Sequence, residues 1–185
     1  METTAVKTST KTKWVLDNTH SELVFKVKHL MITNVKGEFR KFNATLVADG
    51  DDFTKSSVTA TIDAASISTN EENRDNHLRS ADFFDAANHP SLTFKGTAFK
   101  KVNDDEYELT GLLTIRGVSK EVKLDVEFGG FMKDPYGNEK AGFSLEGKIN
   151  RKDFGLNWNA ALETGGVLVS EEVKISAEVQ FVKQA

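Results

Sequence analysis

Apolar residues fall on every second position through most of this chain, and polar residues take the positions between. In residues 107–115 one row reads Tyr107, Leu109, Gly111, Leu113, Ile115, and the other Glu108, Thr110, Leu112, Thr114. Residues 143–149 give Phe143, Leu145, Gly147, Ile149. The same alternation runs through Leu92-Phe94-Gly96-Ala98, Val58-Ala60-Ile62, Phe42-Ala44-Leu46 and Val173-Ile175-Ala177-Val179-Phe181. A period of two with polar partners predicts strands with one buried and one wetted face. Each buried row is interrupted by glycine or alanine. These gaps predict a core that side chains alone do not fill, and hence a container. The other reading is that each glycine marks a bulge or corner and each alanine faces a large neighbour. An apolar void costs about 24 cal/mol per Å³, so one of ~500 Å³ left empty costs ~12 kcal/mol. That is comparable with the whole stability of a domain, ~5–15 kcal/mol. A sizeable interior is therefore collapsed, wet or occupied by an apolar ligand.

Strands are predicted at 14–16, 23–28, 38–48, 58–62, 92–101, 107–115, 122–128, 141–150 and 173–182. Turn signals separate them at Asp49-Gly50-Asp51-Asp52, Asn103-Asp104, Gly117 and Asp134-Pro135-Tyr136-Gly137-Asn138. Residues 70–80 break the alternation and predict one or two helical turns or a structured loop. Residues 156–166 are irregular, with room for a helical turn. Eight or nine strands with short connections indicate an antiparallel all-β sandwich or up-and-down barrel. A barrel removes exposed edges, and about eight strands enclose one small ligand. The expectation is an eight-stranded antiparallel barrel with an elongated internal pocket. Residues 1–13, polar and rich in threonine and lysine, are expected to be a disordered tail preceding one domain over 14–185.

At 185 residues, with 38% hydrophobic and 28% charged residues, the composition is that of an ordinary globular protein. The net charge of −4 argues against a general electrostatic affinity for nucleic acid or for an anionic membrane. Cysteine is absent, which excludes disulfides and thiolate chemistry. No stretch reads as a transmembrane helix and none as a secretory signal, so cytoplasm is the expectation, with periplasm the alternative if a native signal was removed.

The densest chemistry lies in Asn73-Arg74-Asp75-Asn76-His77-Leu78-Arg79-Ser80-Ala81-Asp82-Phe83-Phe84-Asp85. On a helical turn Arg74 and His77 share a face at i and i+3. Such a pair at a barrel mouth suits an anionic or carbonyl-bearing headgroup. The competing reading is a local ion-pair lattice of Arg74, Asp75 and Asp82 that pins a loop. The four histidines, His20, His29, His77 and His89, lack zinc spacing, so no metal is expected. Asp17, His20 and Ser21 read as a satisfied turn rather than a triad. Phe83, Phe84, Phe154 and Trp158 fall outside the alternating strands, as end plugs or as the rim of an entrance.

These segments resemble the YceI-like family, described as lipocalin-like lipid-binding proteins. The matching residues are Asp17-x-x-His20-Ser21, Phe25-x-Val27-x-His29 and Gly37-x-Phe39, then the block from Arg74 to Asp85 with Pro90. Gly111-x-Leu113-Thr114-Ile115-x-Gly117-Val118 and Ile149-Asn150-Arg151-x-Asp153-Phe154-Gly155 follow. They are collinear from Trp14 almost to the C-terminus. The resemblance implies an extended eight-stranded barrel, often dimeric, holding a polyisoprenoid, a quinone-like lipid or a fatty-acid derivative, and it implies no catalytic residues. Many relatives are exported.

Three functional expectations follow. The first is binding, transport or sequestration of a long-chain amphiphile, with no cofactor beyond that lipid. The headgroup would meet His29, Arg74, Asp75 and His77. Phe25, Phe39, Phe42, Leu113, Ile115, Phe143 and Ile149 from strands, with Leu78, Phe83, Phe84, Phe154 and Trp158 from irregular segments, would line the tail's path. The second is an enzyme acting on such a lipid, with His77 or His29 as base and Asp75 orienting it. The third is a stress-related interaction module whose cavity is incidental.

Overall fold

The computed structural model describes residues 11–160 and 168–185. Eleven strands form one antiparallel sheet. They are β1 (Lys11–Leu16), β2 (Glu22–His29), β3 (Thr33–Phe39), β4 (Phe42–Asp49), β5 (Asp52–Asp63), β6 (Ile67–Ser68), β7 (Ser91–Lys101), β8 (Glu106–Ile115), β9 (Val118–Lys133), β10 (Glu139–Asn150) and β11 (Glu172–Lys183). The helix α1 spans Glu72–Arg79, and 3-10 turns occur at Asn18–His20, Ala64–Ser66 and Arg151–Phe154.

Eleven segments make eight barrel strands because three strands are bent. β1 and β2 are halves of one strand stepped by the Asn18–His20 turn, and both pair with β11. β3 and β4 continue each other across Arg40-Lys41, pairing with β2 and β1 respectively. β5 and β6 do likewise around Ala64–Ser66, pairing with β4 and β3. From there the order is sequential through β7, β8, β9, β10 and β11. The last strand returns to the first at Trp14↔Lys183 and Leu16↔Phe181, which closes the barrel. This is the expected eight-stranded antiparallel barrel.

Turn chemistry sets the registers. Arg116 and Gly117 take φ of 52° and 75° in the tight β8–β9 hairpin, the geometry that matches strand twist. Asp134 caps the β9–β10 turn by accepting from the N–H groups of Tyr136 and Asn138, each at 2.9 Å.

Several expectations are corrected. The strand expected to begin at Trp14 begins at Lys11, so residues 11–13 belong to the sheet; residues 1–10 lie outside the described residues. The strand expected over 38–48 is broken at Arg40-Lys41, and of β3 only Glu38 and Phe39 fell within it; the rest went unread because Thr33 and Gly37 weaken its inward row. A bulge between Gly96 and Ala98 flips the β7 register, so Phe99 faces inward and Ala98 outward. The glycine gaps are not empty. Phe94 lies across Gly111, Leu124 across Gly147 and Phe25 across Gly37, each where a Cβ would sit. The barrel's room comes from its circumference and from Ala44, Ala60 and Ala177, which do face the interior. The helical turn expected within 156–166 is absent at 156–160, and 161–167 lie outside the described residues.

Candidate functional site

An internal cavity of about 580 Å³ runs inside the barrel, its walls almost wholly apolar. One end is stopped by aromatic rings. Phe53 is the hub, with Phe128 and Phe143 at 5.2 Å, Phe131 at 5.8 Å, Phe99 at 6.3 Å and Tyr107 at 6.4 Å between centroids. Trp14 lies tilted against Phe131, at 5.7 Å between centroids. Phe53 was missed in the sequence because Thr54 and Lys55 are both exposed, and this slip in the alternation hides its direction.

The polar lining residues gather at the other end, where α1, the β2–β3 hairpin, residues 156–160 and residues 168–169 meet. They are His29, Thr69, Glu71, Asn73, Arg74, His77 and Arg151. Helix α1 starts there because Glu71 caps it, accepting from the N–H groups of Asn73 and Arg74 at 3.2 and 2.7 Å. Arg79 staples the helix to the β5–β6 corner through the carbonyls of Ala65 and Ile67. Arg116 reaches the Phe83 carbonyl at 3.1 Å and fixes the loop that follows.

Within this frame Arg74 and His77 both line the cavity from one face of α1, as their spacing predicts. Arg74 donates from Nε to the Thr69 hydroxyl and from Nη2 to the Thr69 carbonyl, leaving Nη1 unpartnered among the described residues. The His77 ring is wedged edge-on between Trp158, at 4.7 Å, and Phe83, at 5.1 Å. Its Nε2 lies 2.9 Å from the Asp82 carboxylate. Asp75 does not reach the cavity. It is buried under the helix, accepting the N–H and the hydroxyl of Thr69. Thr69 therefore relays between Arg74 and Asp75, and the ion-pair lattice is replaced by a hydrogen-bond chain. Asp82, not Asp75, orients His77.

Among the expected apolar lining residues, Phe25, Phe39, Phe42, Leu78, Phe83, Phe84, Leu113, Ile115, Phe143, Ile149 and Trp158 face the cavity, as does His29. Phe154 does not; it is 1% exposed and plugs the core behind the wall. Leu156 takes the wall position instead. Arg151 was missed as a site residue. Its guanidinium is buried and donates to the carbonyls of Leu156, Trp158, Ser170 and Val169 at 2.7, 2.8, 2.9 and 3.4 Å. Burial pulls its pKa down, opposed by Glu171, but a guanidinium stays charged. Arg151 thus laces the rim segments on either side of residues 161–167. A lone arginine between Asn150 and Lys152 carries no periodic signal, and only its place in the quoted motif marks it.

Asp17, Thr19 and His20 form a cluster away from the cavity. Asp17 and Thr19 both approach the same His20 nitrogen, Nδ1, so no proton relay passes through the ring. Lys140, with Thr19 and His20, holds the Asp17 carboxyl well below the usual carboxylate range. Among the described residues, no group of three or more His, Asp or Glu side chains is placed to hold a metal, and no helix is long and apolar enough to cross a membrane.

The model of the YceI-like domain matches residues 14–181. The chain belongs to the YceI-like family. A UPF0312 protein of Staphylococcus epidermidis is 44% identical over 171 residues, which cover 92% of this chain and 97% of that one. The crystal structure of a Campylobacter jejuni YceI protein superposes with a TM-score of 0.74 at 38% identity, covering 85% of this chain and 90% of that one. Burkholderia cenocepacia BcnA gives 0.78 at 25% identity, covering 89% and 98%. A polyisoprenoid binding domain from Saccharophagus degradans shares the fold at a TM-score of 0.66 and 17% identity, covering 92% and 98%. In this YceI-like barrel the aromatic rings around Phe53 close one end, and the polar lining residues, Arg74 and His77 among them, collect at the other.

Proposed function

We propose that this YceI-like barrel binds one long-chain amphiphile of the polyisoprenoid or isoprenoid-quinone class and carries or sequesters it. The tail occupies the cavity, and the headgroup sits at the rim between Arg74 and His77. The observation that carries this reading is a cavity of about 580 Å³ whose polar residues collect at one end. Left empty, that volume costs about 14 kcal/mol at 24 cal/mol per Å³. Water is a poor filler, since each buried molecule needs two to four polar partners that these walls lack. An apolar tail gains about 2.5 kcal/mol for every 100 Å² it buries.

The rim chemistry supports a polar but compact headgroup. Arg74 offers its Nη1 donor, Asn73 an amide, and His77 a ring held edge-on by Trp158. A quinone carbonyl or a polyprenyl phosphate would meet the Arg74 donors. Binding is favoured by the almost wholly apolar walls; what the enzyme reading retains is the His77–Asp82 pair, with Asp75 engaged by Thr69 instead.

Titration of delipidated protein with an isoprenoid quinone, followed by tryptophan fluorescence, tests this. Trp158 at the rim is quenched when the quinone ring arrives, saturating at one equivalent, and the Trp158→Phe protein loses most of that quenching. No saturable quenching by a quinone, and no uptake of a polyprenol in a parallel extraction, would refute the proposal.

A further inference from the structure

The β2–β3 hairpin beside the mouth carries three exposed apolar residues in succession. Leu30 is 39% exposed, Met31 51% and Ile32 79%. Their backbone makes the exposure more telling. Leu30 and Met31 take φ of 53° and 61°, the left-handed region, in a turn closed by the Ile32 N–H donating to the His29 carbonyl at 3.2 Å. Turns with both central residues at positive φ favour Asn and Gly, because a side chain there clashes with its own backbone. Two bulky apolar residues are therefore kept, facing water, where the backbone disfavours them. Strain of this kind marks functional positions.

The hairpin tip is joined to the cavity entrance. The Leu30 N–H donates to the Leu168 carbonyl at 2.8 Å, and His29 bridges to Val169. His29, Leu168 and Val169 all line the cavity.

The outer face behind the tip carries a row of lysines, of which Lys148 is paired with Glu172. Lys148↔Lys174, Lys174↔Lys26 and Lys26↔Lys36 are direct register partners across β10, β11, β2 and β3. Like charges set opposite each other across a sheet are destabilising. Among the described residues, Lys26, Lys28, Lys36 and Lys174 enter no ion pair. At about 3.3 Å per residue, Lys28 lies ~7 Å and Lys26 and Lys36 ~13 Å behind the tip. The nearest is within a Debye length, ~8–10 Å, of any headgroup layer the tip enters.

We propose that the Leu30-Met31-Ile32 tip and the lysine row behind it form a docking surface for an anionic lipid bilayer, which sets the barrel mouth against the membrane from which its ligand is drawn. The apolar tip enters the interfacial layer, and the lysines meet anionic headgroups. The positive face on a chain of net charge −4 gives the contact an orientation. The proposal rests on the lipid-binding reading for its purpose, while the docking itself is measurable without it.

The test is flotation of the full chain with vesicles of phosphatidylcholine alone and of phosphatidylcholine mixed with phosphatidylglycerol. Wild-type protein floats with the anionic vesicles, at least fivefold more than with the neutral ones. The double variant Leu30→Asn, Met31→Gly loses association at least tenfold while its melting temperature holds or rises, because Asn-Gly suits the turn. Lys26→Glu with Lys28→Glu loses the anionic preference. Wild-type protein that floats with neither vesicle, or variants that float as wild type does, would overturn the proposal. A dimer in solution that the Asn-Gly variant converts to monomer would assign the patch to a second copy and equally overturn it. Quinone uptake from detergent, read by Trp158 quenching, stays at the wild-type level in both variants. Vesicle association without any uptake refutes the cavity reading, whereas uptake without association refutes the docking surface.

Discussion

Ala60 on β5 is the sharpest place to perturb the barrel. It faces the cavity and lies between Ala44 on β4 and Phe94 on β7, its direct register partners. The change Ala60→Leu puts three further carbons into apolar space that no side chain occupies. At about 0.8 kcal/mol per buried carbon the upper figure is about 2.4 kcal/mol, and cavity-filling changes commonly return ~0.5–2 kcal/mol. For a chain of this length, 1 kcal/mol moves the melting temperature by about 2–4 °C, so delipidated A60L should melt about 1–8 °C above delipidated wild type. The same side chain obstructs the tail, so the amount of lipid taken up should fall. Gly111→Ala is the control. Its new Cβ would meet the Phe94 ring and stand 2.7 Å from the Lys95 carbonyl oxygen, which belongs to a paired strand and cannot retreat. G111A should therefore lose stability, by about 1–3 kcal/mol for overpacking. Thermal unfolding by circular dichroism, with lipid extraction on the same samples, reads both effects. An A60L protein that melts lower than wild type, or loads ligand equally well, would refute the claim that unfilled room lies beside the alanines.

Arg151→Met strips four carbonyls of their common donor, and stability should fall by about 3 kcal/mol or more, read by denaturant unfolding; a loss below about 1 kcal/mol would contradict the lacing role. The Asp17 carboxyl titrates below its ordinary value in the folded barrel, chiefly through Lys140. A lowered folded pKa adds stability above the unfolded pKa of about 3.9, and that stability is lost as pH falls through the folded value. Asp17→Asn should therefore be less stable than wild type near neutrality, with the gap narrowing in acid; a gap that is constant from pH 7 to pH 3 would contradict this. Arg74→Ala removes the free donor at the rim, and a quinone should bind about tenfold more weakly with its stoichiometry unchanged. Equal affinity would show that the headgroup does not reach Arg74.

The alternating rows were enough to read the barrel class, most strands and the inward-facing residues, because a strand with one wet face writes its orientation at every second position. What that period could not carry was local slippage. The Gly96–Ala98 bulge exchanged Ala98 for Phe99, and the irregularity at Thr54-Lys55 hid Phe53, the hub of the closed end. The glycines pointed to a container for the wrong reason: Gly111 and Gly147 are seats for Phe94 and Leu124, while the alanines border open space. At the rim, the i, i+3 spacing brought Arg74 and His77 together on α1. The roles of Asp75, Asp82 and Arg151 depended on partners far away or not in helical register, such as Thr69 and the carbonyls of Leu156, Trp158, Val169 and Ser170. No pairwise spacing encodes those.

Native mass spectrometry of the purified protein, with organic extraction of the same sample, tests the central claim most directly. The expected result is one apolar amphiphile per barrel, with a tail long enough to run from the Arg74 rim towards Phe53, released when the protein unfolds. Protein that repeatedly carries no lipid, and takes up neither polyprenol nor quinone when offered, would contradict it.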